Sequence, residues 1–269
     1  ANPGTDYVAK AAPDGYTWLL ANIALGANPS LFRNLPFDTE RDPTPVSKIA
    51  SAPMVLVVHP SMPARSMQEL IAFAKARPGT LNYGSGGNGS ANHLAAEVFR
   101  SHTRIDIVHV PYKGGGPAVT DLVGGQISMM FATLASSRPH VDSGRLRAIA
   151  VSSAKRAPAL KNLPTLQELG LTGFDVSEWQ LLLVPVNTPP AIIDRIHREV
   201  VKAVADPTVR ERLANLGTTV EGSSPQEAAQ FLKSELSLWA RAGGSVAVTP
   251  IRARLSIHAD RSWSGWSTR

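Results

Sequence analysis

"GTLNYGSGGNGSANHLAAEVF", residues Gly79–Phe99, places a short apolar run, a loop with glycines at Gly84, Gly86, Gly87 and Gly89, and a helical period in direct succession. Leu81–Tyr83 reads as a strand. Ser90 is an N-cap residue ahead of Leu94, Ala95, Val98 and Phe99, whose i, i+1, i+4, i+5 spacing puts them on one helix face. Glycines let a backbone turn tightly and come close to a ligand, and a helix N-terminus supplies N–H donors with a partial positive charge. The segment is therefore a strand, loop and helix unit whose loop suits an anion.

Outward from it the same pattern recurs. "VHVPYKGGGPAVTDLVGGQISMMFATL" (Val108–Leu134) follows the strand Ile105–Val110 with a second glycine loop, Gly114–Gly116, a helix over Pro117–Val123 and a strand over Ile127–Phe131. Further strand-length runs lie at Tyr16–Ala21, Met54–His59, Leu146–Val151 and Leu181–Val184, and Ser66 opens a helix with Leu70, Ile71 and Ala74 on one face. Beyond Pro189-Pro190 only helices follow, over 191–205, over 208–216 opened by Asp206-Pro207, and over 226–239 opened by Ser223/Ser224 with Pro225 and Glu227. This alternation predicts an α/β protein with largely parallel sheets covered by helices. Two very apolar strands, Ala52–Pro60 and Glu178–Pro190, each end in proline and bracket the middle of the chain. They suggest a lobe over 56–180 inserted into a lobe built from 1–55 and 181–240; the other reading is one sheet with both strands at its centre.

Composition narrows the chemistry. The chain of 269 residues has 43% hydrophobic and 18% charged residues, enough for a core, and no cysteine, which excludes disulfides, thiolate metal sites and cysteine nucleophiles. No run of 18 or more apolar residues suggests a membrane span, and no basic stretch followed by an apolar run suggests a leader. The net charge of +6 is concentrated at the end: 241–269 holds five arginines against the single acid Asp260, together with Trp263 and Trp266. That break in composition marks 241–269 as a disordered or foreign end, with a short strand over Val246–Ile257 as an option, and leaves the body nearly neutral, so a nucleic-acid partner is not expected.

Several catalytic readings compete for the glycine loop. Gly84, Gly86 and Gly89 satisfy G-x-G-x-x-G, but the acid a dinucleotide site needs belongs at the end of the next strand, and Asp106 stands at its beginning. No G-K-[ST] follows, and Tyr83 stands where a G-x-S-x-G elbow needs glycine. A hydrolytic triad from Ser85 or Ser90, His93, and Asp106 or Asp121 remains an enzyme alternative, as does nucleotide binding through 84–90. The seven histidines show no ligand spacing, so neither a metal nor a cofactor is expected. Tyr112 and Lys113, beside the second glycine loop, are candidates to help hold an anion.

These residues also carry a resemblance. "GTDYVAKAAPDGYTWLLAN" (Gly4–Asn22), "NPSLFRNLPFD" (Asn28–Asp38), Val55–Phe99, Asp106–Phe131, "LRAIAVSSAKRAPALKNLPTLQELG" (Leu146–Gly170) and "ADPTVRERLANLG" (Ala205–Gly217) together resemble the periplasmic solute-binding receptors of tripartite tricarboxylate transporters, the Bug family. The resemblance implies a periplasmic, two-lobed clamshell of the type II binding-protein kind. Such a receptor has no catalysis; it captures a small carboxylate or dicarboxylate and presents it to a membrane permease. Carried over by position, the ligand-binding set is Ser85, Gly86, Gly87, Asn88, Gly89, Ser90 and His93 with Tyr112, Lys113 and Gly114. Where the family has Phe-Asp after the "MMF" strand, this chain has Phe131-Ala132, which removes an acid for a ligand ammonium and favours plain carboxylates. Ala1-Asn2-Pro3-Gly4 matches the family only from its second-strand turn onward, so an incomplete first lobe and impaired binding are expected. Past Trp239 the family pattern also stops.

Overall fold

The computed structural model describes residues 2–32 and 34–243. In chain order they form α1 (Asn2–Ala9), β1 (Leu19–Ala21), α2 (Ala24–Leu31), β2 (Pro43–Val58), α3 (Met67–Ala76), β3 (Leu81–Ser85), α4 (Ala91–Thr103), β4 (Ile107–Pro111), α5 (Gly115–Val123), β5 (Met129–Thr133), α6 (Leu134–Asp142) and β6 (Arg147–Val151). A 3-10 turn at Pro158–Leu160 leads to β7 (Ser177–Pro185), α7 (Pro190–Ala205), α8 (Pro207–Asn215), β8 (Thr219–Val220) and α9 (Pro225–Gly243). Of the end segment 241–269, residues 241–243 close α9; the optional short strand over Val246–Ile257 and the rest of the basic end lie outside the described residues.

Helix starts follow the expected side chains. Ser66 Oγ accepts the Glu69 N–H at 3.2 Å, and Asp206 Oδ1 accepts the N–H groups of Thr208 and Val209. At α9 the reciprocal pair is complete: Ser224 Oγ accepts from Glu227 N while Glu227 Oε2 accepts from Ser224 N at 2.8 Å. The strand expected from Tyr16 starts only at Leu19. Gly15 turns with φ +85°, Asp14 accepts the Tyr16 N–H, and Trp18 Nε1 donates to Gly15 O, so local turn bonds claim that stretch.

The largest correction concerns strand direction. Among the described strands the parallel pairings are those of β3 with β4 and β5, apart from a single parallel bridge between Val151 and Thr165; β1 meets β7 antiparallel, and β2 meets β5, β6, β7 and β8 antiparallel. The cause is β2, of which the sequence pattern exposed only the last third. Its upstream part, Pro43–Pro53, pairs with β7 from Pro185 back to Ser177; its downstream part, Met54–Val58, pairs with β5 and with β6. Register shifts at Pro45/Ser47 and Lys48/Ala50 insert extra residues, and these bulges erase the period-two alternation that marks a strand.

Three packed layers result. One core joins Leu56, Tyr83, Phe99 and Phe131 to Trp179, Leu181 and Trp239, so α2, α3, α4 and α9 cover one face of both strand groups. Phe131 lies 5.7 Å from the Phe99 ring, edge to face, and 6.2 Å from the Phe174 ring, stacked. A second core around Val55, Val57, Leu122 and Met130 places α5 and α6 on the opposite face, and a third holds α7 through Ile196 against Val46, Leu182 and Val184. Among the described residues β1 pairs on one side only, and Tyr16, Trp18 and Leu20 around it are exposed. No described helix is long and apolar enough to cross a membrane.

Candidate anion cradle

The two glycine loops lie side by side because β3 and β4 are parallel neighbours in register, Leu81 opposite Ile107 through Ser85 opposite Pro111. Both loops therefore leave from the carboxyl ends of adjacent strands, the end at which open α/β sheets bind ligands. The ladder continues past the strands: Tyr112 N–H donates to Ser85 O at 3.0 Å, and Gly114 N–H to Gly86 O at 3.2 Å. Close approach explains the glycines. A Cβ on Gly86 would lie 3.2 Å from Gly115 N, while Gly87, Gly89 and Gly114 adopt φ of +117°, +76° and +114°.

The expected site residues separate into two groups. Asn88 and Lys113 are exposed, and Gly86, Gly87, Ser90, Tyr112 and Gly114 are half-buried on the loop surface. Ser85 is 0% exposed and His93 5%. Ser90 Oγ caps α4 by accepting the His93 backbone N–H, and the His93 ring instead takes the Gly89 N–H on Nδ1 at 3.2 Å. Ser90 and the His93 ring are thus not aimed at one another, as the triad reading required. Nor does Asp121 serve a histidine; it accepts the Tyr112 hydroxyl at 2.7 Å. Burial and that carboxylate push the Tyr112 hydroxyl up to about 12. Some loop donors are already engaged, since Gly87 N–H donates to Ser85 Oγ at 3.1 Å and Gly89 N–H to His93. The N-terminus of α5, at Gly114, has no side-chain cap, so its positive end is not answered by a side chain. Asn92 holds the neighbouring strand, donating from Nδ2 to Phe131 O.

Sequence reading missed the groups beneath the loops. His109, on β4 opposite Tyr83 of β3, places Nε2 2.6 Å from Ser85 Oγ. Its ring lies 4.8 Å from that of Tyr83 and 4.2 Å from that of His93. Tyr83 OH donates to Glu97 Oε1, and Glu97 Oε2 accepts from Arg100 at 2.6 Å. Burial, and secondarily the nearby His93, hold the His109 imidazole down to about 4; burial lowers His93 as well. The only signal in the sequence was register, because Tyr83, Ser85 and His109 share a sheet face once β3 and β4 are paired. Glu178 was also missed. It sits opposite Ala52, hydrogen-bonds Asn22, leaves Oε2 buried without a partner, and is pushed up to about 7 by burial. Among the described residues no cluster of histidine and carboxylate side chains could hold a metal ion.

The chain is similar to several known proteins. The family described as "Tripartite tricarboxylate transporter family receptor" matches residues 3–243. Protein BugT of Bordetella pertussis (strain Tohama I / ATCC BAA-589 / NCTC 13251) is 37% identical over 239 residues, covering 88% of this chain and 73% of BugT. Among solved structures, R. palustris Rpa4515 with adipate is 33% identical with a TM-score of 0.84, covering 91% of this chain and 82% of that one. MatC (Rpa3494) from Rhodopseudomonas palustris with bound malate is 30% identical with a TM-score of 0.82, covering 90% and 84%. The structure of the periplasmic binding protein BugD is likewise 30% identical, with a TM-score of 0.82, covering 91% and 84%. The fold is the two-lobed α/β fold of these periplasmic binding proteins, and the chain belongs to the family of tripartite tricarboxylate transporter receptors.

Proposed function

We propose that this protein works outside the inner membrane, in the periplasm, where it captures a small dicarboxylate in the cradle of Ser85–Ser90 and Tyr112–Gly114 and delivers it to a membrane permease without catalysing a reaction. The observation that carries this reading is the interlocked pair of glycine loops at the carboxyl ends of parallel β3 and β4. Together they surround an uncapped helix N-terminus with close-packed backbone, a setting in which N–H dipoles replace the hydration of a carboxylate. Exposed Lys113 adds long-range attraction rather than a fixed contact.

Closure fits the topology. β2 passes between strand groups at Pro53/Met54, and β7 begins beside it at Ser177. We take these two strands as the connections between a lobe of 1–55 with 181–240 and a lobe of 56–180, a division that lets loops from both close over a ligand. The relatives bound to adipate and malate support a dicarboxylate as the cargo. Where the family resemblance places an acid, this chain has Ala132, enclosed in the second core, so that position offers no carboxylate to a ligand ammonium.

The enzyme reading loses support from burial: Ser85, the serine beside a histidine nitrogen, is fully enclosed and already accepts the Gly87 N–H. Calorimetric titration of the purified protein with four- to six-carbon dicarboxylates, amino acids and nucleotides tests the proposal. Saturable heat with the dicarboxylates alone, and no turnover of ester or nucleotide substrates, is the expected result. Heat only with nucleotides, or turnover, overturns it.

A further inference from the structure

The Ser85 hydroxyl stands at the centre of the first glycine loop. It accepts the Gly87 N–H at 3.1 Å, lies 3.2 Å from Gly87 O and 2.6 Å from His109 Nε2. A hydroxyl has one proton and two lone pairs, and its rotor is free unless a partner fixes it. With a ring nitrogen at 2.6 Å the rotor is fixed in either imidazole tautomer. If Nε2 accepts, the Ser85 proton points to it. If Nε2 donates, the proton turns to Gly87 O. Both arrangements keep a lone pair on the Gly87 N–H, which holds Gly87 at its φ of +117°.

His109 is itself held from several elements. Tyr83 of β3 stacks on it at 4.8 Å with ring planes 15° apart, and His93 of α4 lies at 4.2 Å. Tyr83 is anchored by Glu97, and Glu97 by Arg100, both on α4. His93 in turn accepts the Gly89 N–H. The loop therefore rests on two imidazoles: one sets the start of its turn through Ser85, the other its end at Gly89. Packed side chains that lock a supporting residue are what hold a binding site to its productive geometry.

We propose that His109 is the positioning residue of the anion cradle, fixing through the Ser85 hydroxyl the backbone conformation at Gly87 that presents the loop to a carboxylate. The inference deepens the receptor reading and rests on it for the ligand, but its structural half is read without ligand. His109 does not touch the cargo.

Two variants separate positioning from packing. His109→Phe keeps a ring between Tyr83 and His93 and loses the nitrogen; His109→Gln restores a polar group able to donate or accept. Amide hydrogen exchange by NMR on the ligand-free proteins reads the Gly87 N–H, and titration with adipate and malate reads the cradle. The expected result is Gly87 exchange at least tenfold faster in His109→Phe, with dicarboxylate affinity at least tenfold weaker and the melting temperature within a few degrees of the parent. His109→Gln should recover part of both losses. Unchanged Gly87 exchange in His109→Phe overturns the positioning role whether or not ligand binds. Faster exchange with unchanged affinity also overturns it, since the loop geometry would not govern the site. If the parent protein binds no dicarboxylate, the receptor reading fails by itself and the exchange arm still decides what His109 does to the loop.

Discussion

Gly86 and Gly115 are packed backbone to backbone, with little room for a side chain at 86: a Cβ there would stand 3.2 Å from Gly115 N and 3.4 Å from Asn92 Oδ1 and Gly114 C, so the facing loop would have to give by a few tenths of an ångström. This contact joins the two loops into one cradle, and it is broken by adding a branched side chain. Gly86→Val should push the loops apart, cost about 1–3 kcal/mol of stability, and weaken dicarboxylate binding at least tenfold. Urea denaturation gives the first quantity and calorimetry the second. Gly87→Pro should be more severe for binding, because proline cannot adopt a φ of +117° and has no N–H for Ser85.

The Ser90 cap tests the helix end of the cradle separately. Ser90→Ala removes the acceptor of the His93 N–H and should lower stability by about 1 kcal/mol, as should Ser66→Ala at the start of α3. Only the Ser90 change should also reduce ligand affinity, because Ser66 is on a helix outside the cradle. Equal affinity losses in the two variants would break the link between the α4 cap and the site.

Acid should loosen the protein through two desolvated imidazoles, buried His93 and half-buried His109. His109 is held down to about 4 and His93 is lowered too, so between about pH 6.5 and 4 the unfolded chain binds protons that the folded protein refuses. The stability these groups confer is complete above about pH 6.5 and is lost as the pH falls through that window. Glu178 acts in the opposite sense. Raised from 4.5 to about 7, it lets the folded state keep a proton between those values, and so stability from this group falls as the pH rises. Comparing the parent with His109→Phe isolates the imidazole: the parent's advantage should shrink by about 1–2 kcal/mol between pH 7 and 4, a figure reduced for the half-exposed ring. Denaturant titration at several pH values measures it, and a constant difference would refute the linkage.

At the end of the described chain, Glu235 accepts both indole N–H groups, Trp179 at 3.0 Å and Trp239 at 3.2 Å, and Trp239 is buried in the shared core. Trp239→Ala should therefore cost about 3–5 kcal/mol. Removal of 244–269, which follows α9, should leave the melting temperature unchanged and reduce retention on heparin, because four arginines against one acid go with it. A thermal scan of both variants and one salt-eluted heparin column provide the readings.

Much of the helical framework was legible because its signals are local. Ser66, Ser90, Asp206 and Ser224 announce helix starts through bonds within three residues, and the structure shows each of those caps. The helices α2 and α6 escaped notice because each carries a proline, Pro29 and Pro139, and little amphipathic contrast. The upstream part of β2 escaped for a different reason: bulges near Val46 and Ile49 scramble its alternation, and with it went the antiparallel character of the sheet. In the cradle, the glycines and Ser90 were visible as a contiguous motif. His109 was invisible because its meaning depends on lying opposite Tyr83, a pairing that no local pattern encodes.

The most direct test of the central claim is an NMR titration of the uniformly 15N-labelled protein with adipate and malate, carried to millimolar ligand so that weak binding also registers. Saturable amide shifts centred on residues 85–90 and 112–116 are expected, with smaller changes along β2 near Pro53 and Met54. Saturable shifts centred elsewhere, or none for either dicarboxylate, would contradict it.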